Sequence, residues 1–463
     1  MLATIAVEGY RSLRSLVLPL GRLTVVTGAN GTGKSSLYRA LRLLSGCALG
    51  GAVGAVAREG GLRSPLWAGR EPGGGAAGAG GAVQGTRRTA PVALRLGFAG
   101  ATPDDLGYAV DLGLPQHPGS AFALDPEIKV ETVWSGPVPR PATLQVERRG
   151  PAVRVRDDAG RWQSSPARLR PFDSVLTELV DPVGAPEVVA VRERLRSWRF
   201  YDQLRTDADA PARSPQLGTR TPVLAHDGAD LAAALQTVRA LGRGGVLDAA
   251  VARPVAGSRL AVHADDGRFE VAFHQDGLLR PLTGAELSDG TLRYLFLVAA
   301  LLSPRPPELL VLNEPETSLH PDLLPALGAL VHAAGRETRV VVVAHAPPRG
   351  EALRDAAAAG GGAGAGADEL VEVELVRSPF GETTVAGREG LLDQPAWAGP
   401  TRCPRPRPPG ARRGPRRGTR GAAAGASRPG PARRPEGPRR RPACRGGTAR
   451  GTASRLSCGA RTA

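Results

Sequence analysis

Apolar positions in the first 27 residues fall into two strand-length runs, at 5–7 and 23–26. The second run, Leu23-Thr24-Val25-Val26, has almost no polar face and leads into a glycine-rich turn, as a strand buried on both sides does. From 34 to about 44 the spacing becomes helical, with Leu37, Ala40, Leu41 and Leu44 on one face. Glycine and alanine dominate 45–90, which predicts loops. Strand-like runs then recur between 92 and about 155, among them 92–96, 108–112 and 144–146. Residues 174–245 predict helices, broken by a proline-containing loop at 210–223. A strand pattern returns at 258–275. A helix near 291–302, a buried strand at 309–312, a helix over 321–334 and a strand at 339–343 follow. Residues 369–388 read as a hairpin turning at Ser378-Pro379-Phe380-Gly381. Strands alternating with helices predict an α/β fold.

Composition changes this picture in two places. Arginine supplies nearly every cation, and the only lysines are Lys34 and Lys129; the only asparagines are Asn30 and Asn313. A lysine kept against such a bias points to work that a guanidinium cannot do. The formal charge of +16 is not spread over the chain. Residues 401–463 hold 18 arginines and one acid, Glu436, which leaves the other 400 residues at about −1. Beyond about 398 the chain is arginine, proline, glycine and alanine with few large apolar side chains. Burial cannot offset the ordering entropy there, so a disordered basic tail is expected, either a nucleic-acid-binding arm or the product of a shifted GC-rich reading frame. Cys403, Cys444 and Cys458 lie in this tail and only Cys47 in the body, so no disulfide framework or paired-cysteine metal site is expected. No apolar run reaches the roughly 20 residues of a membrane span, and the N-terminus has no signal-peptide pattern. A cytoplasmic protein without membrane contact is expected. The mixed basic and aromatic stretch Ser197-Trp198-Arg199-Phe200-Tyr201 reads as a helix packing its rings on the body, with ligand contact as the other reading.

The chemistry is concentrated in four segments. Gly28-Ala29-Asn30-Gly31-Thr32-Gly33-Lys34-Ser35, followed by Ser36, is a complete phosphate-binding loop between strand and helix. Its glycines turn backbone N–H groups inward around phosphate oxygens, and the helix that follows presents its positive dipole end. Lys34 is placed to reach the β- and γ-phosphates, and the Ser35 hydroxyl to bind Mg²⁺. Leu287-Ser288-Asp289-Gly290-Thr291 precedes an apolar helix, which an ordinary N-cap also explains. The run 309–316 is a buried strand ending in Asn313, Glu314 and Glu316, and an acid at that strand mouth can take a proton from attacking water. Ser318-Leu319-His320 comes next, and His345 follows the last apolar strand, either as a structural residue or as a γ-phosphate sensor.

These four pieces, in this order, resemble the ABC-type ATPases, and most closely their RecF/SMC-like branch, the AAA_21 kind of predicted AAA ATPase. The segment 7–44 resembles the start of that branch, 286–302 its signature motif, and 309–324 its Walker B strand and D-loop. The resemblance is good over 1–45 and 285–395 and loose between. It implies an ABC-type head with ATP and Mg²⁺ as ligands and an ATP-dependent homodimer closing on two nucleotides. Glu314 would be the catalytic base and His345 the switch histidine. Ser288, Asp289 and Gly290 would meet the partner's nucleotide in trans, with Ser318, Leu319 and His320 as D-loop. Two departures stand out. Asn313 occupies the position of the Mg²⁺-supporting aspartate, and no glutamine in 45–150 can be assigned to a Q-loop. The long interval between Lys34 and Ser288 has no heptads of a coiled coil, so a compact lid is expected. Too little ordered chain is expected after His345 for a Toprim nuclease domain.

The domains read as an N-terminal lobe with Walker A (1–160), a helical lid insertion (161–284), a C-terminal lobe (285–397) and the tail (398–463). RecF-like kinship implies ATP hydrolysis in the service of DNA repair, with DNA as a partner. The rival functions are an anti-phage ATPase and, because of Asn313, a nucleotide-dependent switch with little turnover.

Overall fold

The computed structural model describes residues 1–67, 69, 93–115, 121, 122, 124–202, 204–254, 257–344, 370–379 and 381–388, with Ala167 described by its backbone alone. These residues build two large sheets with a helix layer between them. The first is an antiparallel sheet in the order β2-β1-β4-β5-β6-β7-β8-β9. Its strands are β1 (Leu2–Tyr10), β2 (Leu13–Pro19), β4 (Ala93–Gly100), β5 (Leu106–Gly113), β6 (Glu127–Ser135), β7 (Leu144–Arg149), β8 (Ala152–Arg156) and β9 (Trp162–Arg168). The second is in the order β10-β15-β16-β3-β17-β18, parallel except for its last strand. It contains β3 (Leu23–Thr27), β10 (Arg199–Tyr201), β15 (Leu309–Asn313), β16 (Arg339–Val343), β17 (Leu370–Arg377) and β18 (Thr383–Val385).

The parallel strands are continuous apolar runs because both of their faces are covered. Leu309 and Val311 of β15, Val341 and Val343 of β16, and Val26 of β3 face one core, shared with the antiparallel sheet and helix α1 (Lys34–Arg58). The alternate residues Leu310, Leu312, Val340, Val342, Leu23 and Val25 face a second core. Four helices cover that side: α4 (Leu231–Val238), α5 (Gly244–Ala252), α6 (Asp289–Leu301) and α7 (Leu324–Gly335). The period-two alternation of each strand thus divides its side chains between two cores.

Several elements differ from expectation. β2 was not anticipated, because Arg14 and Ser15 interrupt its apolar positions; pairing with β1 fixes it. Helix α1 does not stop near 44 but continues to Arg58, and it is broken at Gly50 and Gly51, where φ/ψ leaves the helical region. A Cβ on Gly46 would stand 2.9 Å from the Cβ of Ala55. Nine residues of straight helix span about 13.5 Å, so the chain doubles back at the glycine pair. Lys34–Arg58 is apolar enough over its length to pass as a membrane span, yet 61% of that window is buried, and the reversal leaves neither half with the roughly 20 residues a span requires.

The aromatic stretch 197–201 is the end of α3 (Pro186–Ser197) followed by strand β10, rather than one helix. The packing reading holds: Trp198, Phe200 and Tyr201 are buried, and Phe200 meets Tyr38 edge-on at 5.7 Å between centroids. Between α3 and α4 the chain is mostly irregular, not helical. A smaller sheet follows from β11 (Gln216–Leu217), β12 (Arg259–Asp265), β13 (Arg268–His274) and β14 (Leu282–Thr283). Within 161–284, β9 and β10 are therefore built into the two large sheets, while the remaining strands form the small one. The basic tail lies outside the described residues.

Candidate functional site

The phosphate-binding loop leaves β3 at Thr27 and enters α1 at Lys34, as its sequence order requires. Three of its glycines have positive φ: Gly28 at 148°, Gly31 at 82° and Gly33 at 104°. At two of them space is also closed. A Cβ on Gly28 would lie 2.4 Å from the Leu375 carbonyl oxygen, and one on Gly33 would lie 2.3 Å from the Thr383 hydroxyl and 2.8 Å from that of Ser12. The loop is held from within and from outside. Thr32 donates its hydroxyl to the Ala29 carbonyl at 2.8 Å, and the buried Thr383 donates to the Thr32 carbonyl at 2.7 Å. The Ser12 and Thr383 hydroxyls are 2.9 Å apart. Neither residue belongs to a recognisable motif, so sequence reading could not find them.

Lys34 is buried and turns into the loop, donating to the carbonyls of Gly28 at 2.5 Å and Ala29 at 3.2 Å. Desolvation pulls its pKa below the usual lysine value, while the Glu314 and Glu316 carboxylates oppose that shift. An anion entering the loop would relieve this desolvation. Lys34, Ser35, Ser36, Asn30, Gly31 and Gly33 line a cavity of about 730 Å³ together with Glu314. That size lies within the about 300–1,000 Å³ usual for small-molecule and cofactor sites. Its remaining wall comes from Arg11, Ser12, Trp67, Gly69, Arg377 and Gly381.

Glu314 follows the end of β15 with a positive φ of 50°, unusual for a residue bearing a side chain. Its backbone N–H donates to the Val343 carbonyl at 2.7 Å, and its own carbonyl accepts from Arg293 of α6 at 3.2 Å. The strained backbone thus sits where the catalytic acid was expected. Beside it, the Asn313 Oδ1 is buried with no hydrogen-bond partner. A buried acceptor of this kind fits a metal-bound water, so the site suits Mg²⁺ held through water and substrate phosphate. Among the described residues no cluster of three or more His, Cys, Asp or Glu could form a separate metal cage.

The segment 288–290 lies elsewhere. Ser288 caps α6, accepting from the Thr291 N–H at 3.2 Å, and is exposed with Asp289. Arg213 shapes this turn: it donates to the Leu287 carbonyl at 2.7 Å and to the Asp289 carboxylate at 2.6 Å. Gly290 is a close approach, since a Cβ there would stand 2.9 Å from the Ser318 carbonyl oxygen. Ser318, with φ 65°, joins Ser288, Gly290, Leu319 and His320 around an open concavity of about 470 Å³. Ser318 and His320 are exposed, and Leu319 is buried in the second core. The structure therefore brings the segments expected to be signature and D-loop together, on a concavity distinct from the one lined by Lys34 and Glu314.

His345 lies outside the described residues, one position beyond Ala344. Of the glutamines in 45–150, Gln145 is tied to Ser135 at 3.0 Å within the antiparallel sheet; Gln84 and Gln116 lie outside the described residues. β10 runs parallel beside β15, so its C-terminal end, at Tyr201 and Asp202, opens on the same side as Glu314. Asp202 lines a separate cavity with Tyr38, Arg42 and His226.

A phosphate loop on a parallel strand, with an acid at the mouth of a nearby strand and a helix capped by Ser288, defines a P-loop nucleotide-binding protein with an ABC-type head. The chain belongs to the AAA_21 family, whose model, described as "AAA domain, putative AbiEii toxin, Type IV TA system", matches residues 23–347. Among solved structures it is similar to an SMC head bound to the C-terminal winged-helix domain of ScpA. That likeness has 12% identity over 83% of this chain and 96% of that one, with a TM-score of 0.43. It is also similar to the SMC head domain from Thermotoga maritima, at 13% identity over 84% of this chain and 99% of that chain, with a TM-score of 0.38. A third is the SMC head with an extended coiled coil bound to the C-terminal domain of ScpA from Pyrococcus furiosus. Its values are 11% identity, 83% and 95% coverage and a TM-score of 0.41. No curated protein matches the sequence.

Proposed function

We propose that this protein binds ATP in the cavity lined by Lys34 and hydrolyses it, and that hydrolysis follows closure of two copies on two nucleotides. The observation that carries the reading is the meeting of Lys34, Ser35 and Glu314 in one cavity. Lys34 exchanges its two loop carbonyls for β- and γ-phosphate oxygens, and the loop N–H groups hold the rest of the phosphate charge. Glu314 takes the proton of the attacking water. Mg²⁺, when bound, neutralises charge on the β- and γ-phosphates. The Ser35 hydroxyl would hold it directly and Asn313 through water. His345 keeps its proposed place as γ-phosphate sensor.

The second copy enters because Ser288 and Gly290 do not line the cavity of Lys34. In the closed dimer Ser288, Asp289 and Gly290 of one copy meet the γ-phosphate held by the other, with Ser318, Leu319 and His320 forming the seam. Introducing Ser288→Arg into a hydrolysis-deficient chain should abolish the ATP-dependent dimer while leaving ATP binding intact. Light scattering with and without MgATP reads this directly, and normal dimerisation would remove the signature assignment.

The RecF-like resemblance supports a cytoplasmic role in DNA repair or genome maintenance, in which closure retains DNA. ATP turnover with and without single- and double-stranded DNA tests this. DNA should raise the rate, and turnover indifferent to both would favour a role such as anti-phage defence that does not run through DNA.

Asn313 favours a second reading, a nucleotide-dependent switch with slow turnover. Its neutral amide keeps the hydrogen bond to a metal-bound water but contributes no charge beside a divalent cation. Asn313→Asp is expected to lower the Mg²⁺ concentration giving half-maximal ATPase activity and to raise the rate. A Mg²⁺ titration of both proteins at saturating ATP is the measurement. Identical midpoints would show that Asn313 does not support the metal.

A further inference from the structure

We propose that Arg293 is a positioning residue for Glu314, holding that carboxylate at the cavity through the backbone of residue 314. The inference rests on the reading that Glu314 takes the proton of the attacking water. The regular pairing of β15 with β16 ends at Asn313 and Val343. The acid is therefore carried not by the sheet but by the turn that follows it.

That turn is left-handed at both ends, with φ of 50° at Glu314 and 65° at Ser318. A residue bearing a Cβ keeps such a conformation only where its surroundings impose it. Three contacts act on Glu314. Its N–H donates to the Val343 carbonyl at 2.7 Å, and its carbonyl accepts from the Thr317 N–H at 3.1 Å. Arg293 Nη2 donates to the same carbonyl at 3.2 Å. The first two are backbone contacts that most sequences can make, whereas the third depends on one guanidinium. Helix α6 also meets the far end of the turn, where a Cβ on Gly290 would stand 2.9 Å from the Ser318 carbonyl oxygen. Gly290 and Arg293 are three residues apart and so share a side of the helix.

The guanidinium is half-buried, and its Nε is buried without a hydrogen-bond partner. Desolvation pulls its pKa below the usual arginine value, while the carboxylates of Glu316, Glu314 and Asp202 oppose that shift. Glu314 and Glu316 belong to the turn, and Asp202 follows β10, the strand beside β15. The cation thus stands where the ends of two parallel strands approach α6. Taking a charge out of water is costly, and here it brings a donor to the one carbonyl that fixes the acid's backbone. Arg293 does not line the cavity of Lys34. Its effect on a bound nucleotide therefore passes through Glu314.

Steady-state and single-turnover hydrolysis, with MgATP affinity by calorimetry, test this in two backgrounds. Arg293→Met keeps an apolar stem and removes the guanidinium. It is expected to lower kcat at least about tenfold while KM and MgATP affinity stay within about threefold of the unsubstituted chain. Arg293→Lys can still donate to the Glu314 carbonyl, and it is expected to recover much of the loss. Added to Glu314→Gln, Arg293→Met is expected to lower the residual rate by less than about twofold, because the base it positions is already gone. A general loss of structure would slow both backgrounds alike, and retained MgATP binding shows that each variant has folded. The proposal is overturned by an unchanged kcat in Arg293→Met, by losses of equal size in both backgrounds, or by MgATP binding that falls in step with the rate in both Arg293 variants. Hydrolysis by Glu314→Gln alone at the parental rate would instead bring down the reading of Glu314 as base.

Discussion

Lys34→Ala should reduce ATP affinity by roughly two to four orders of magnitude, taking two charge-assisted hydrogen bonds at about 1.5–3 kcal/mol each. The geometry explains why nothing substitutes for it. Lys34 is the loop's own cation, buried at 6% exposure and already threaded between the Gly28 and Ala29 carbonyls. Arg11 is engaged with Glu59, and Arg377 comes from the end of β17, outside the loop itself. Lys34→Arg should fail almost as fully, because a forked guanidinium does not fit the space that a single ammonium fills. In a chain where arginine serves nearly everywhere else, this explains a retained lysine. Nucleotide titration by calorimetry checks both variants, and unchanged ATP affinity in Lys34→Ala would remove the phosphate loop from the site.

Glu314→Gln should slow hydrolysis by about 10²–10⁴, the usual contribution of a positioned general base, while ATP binding persists. The substitution keeps the shape of the side chain and leaves the backbone contacts of residue 314 with Val343 and Arg293 in place. Removing one negative charge from a cavity that receives a triphosphate should also tighten ATP slightly. The variant should accumulate as an ATP-bound dimer, seen by light scattering as a doubling of mass that depends on MgATP. Hydrolysis at the parental rate would show that another group takes the proton, with Glu316 the next acid along the chain.

What could be read in advance was whatever is written locally. The phosphate loop, the capped helix at Ser288 and the strand leading to Glu314 are short contiguous patterns, and each occupies the element expected for it. The reading failed where a distant partner decides the structure. Gly46, Gly50, Gly51 and Gly54 lower helix propensity over the second half of α1, yet small residues are what allow that half to fold back on the first. The three aromatics after Ser197 looked helical until pairing with β15 made Arg199–Tyr201 a strand. Ser12, Thr383 and Arg213 leave no local signal, since each acts on a segment far along the chain. Trp67 follows a glycine-rich stretch whose composition concealed it.

The placement of β3 bears on how the protein is made. Val26 pairs with Val343 on one side and with Val373 on the other, so the strand carrying the phosphate loop is closed only by late segments of the chain. At about 5–20 residues per second of synthesis, Lys34 is complete roughly 20–70 s before Val373 exists. During that interval the nascent chain displays the loop without the sheet that shapes it or the Thr383 hydroxyl that fastens it. Contacts so distant in sequence form slowly, which makes capture of nucleotide a final event of maturation. Products cut short before 383 should carry an intact Walker A motif and remain unable to hold ATP.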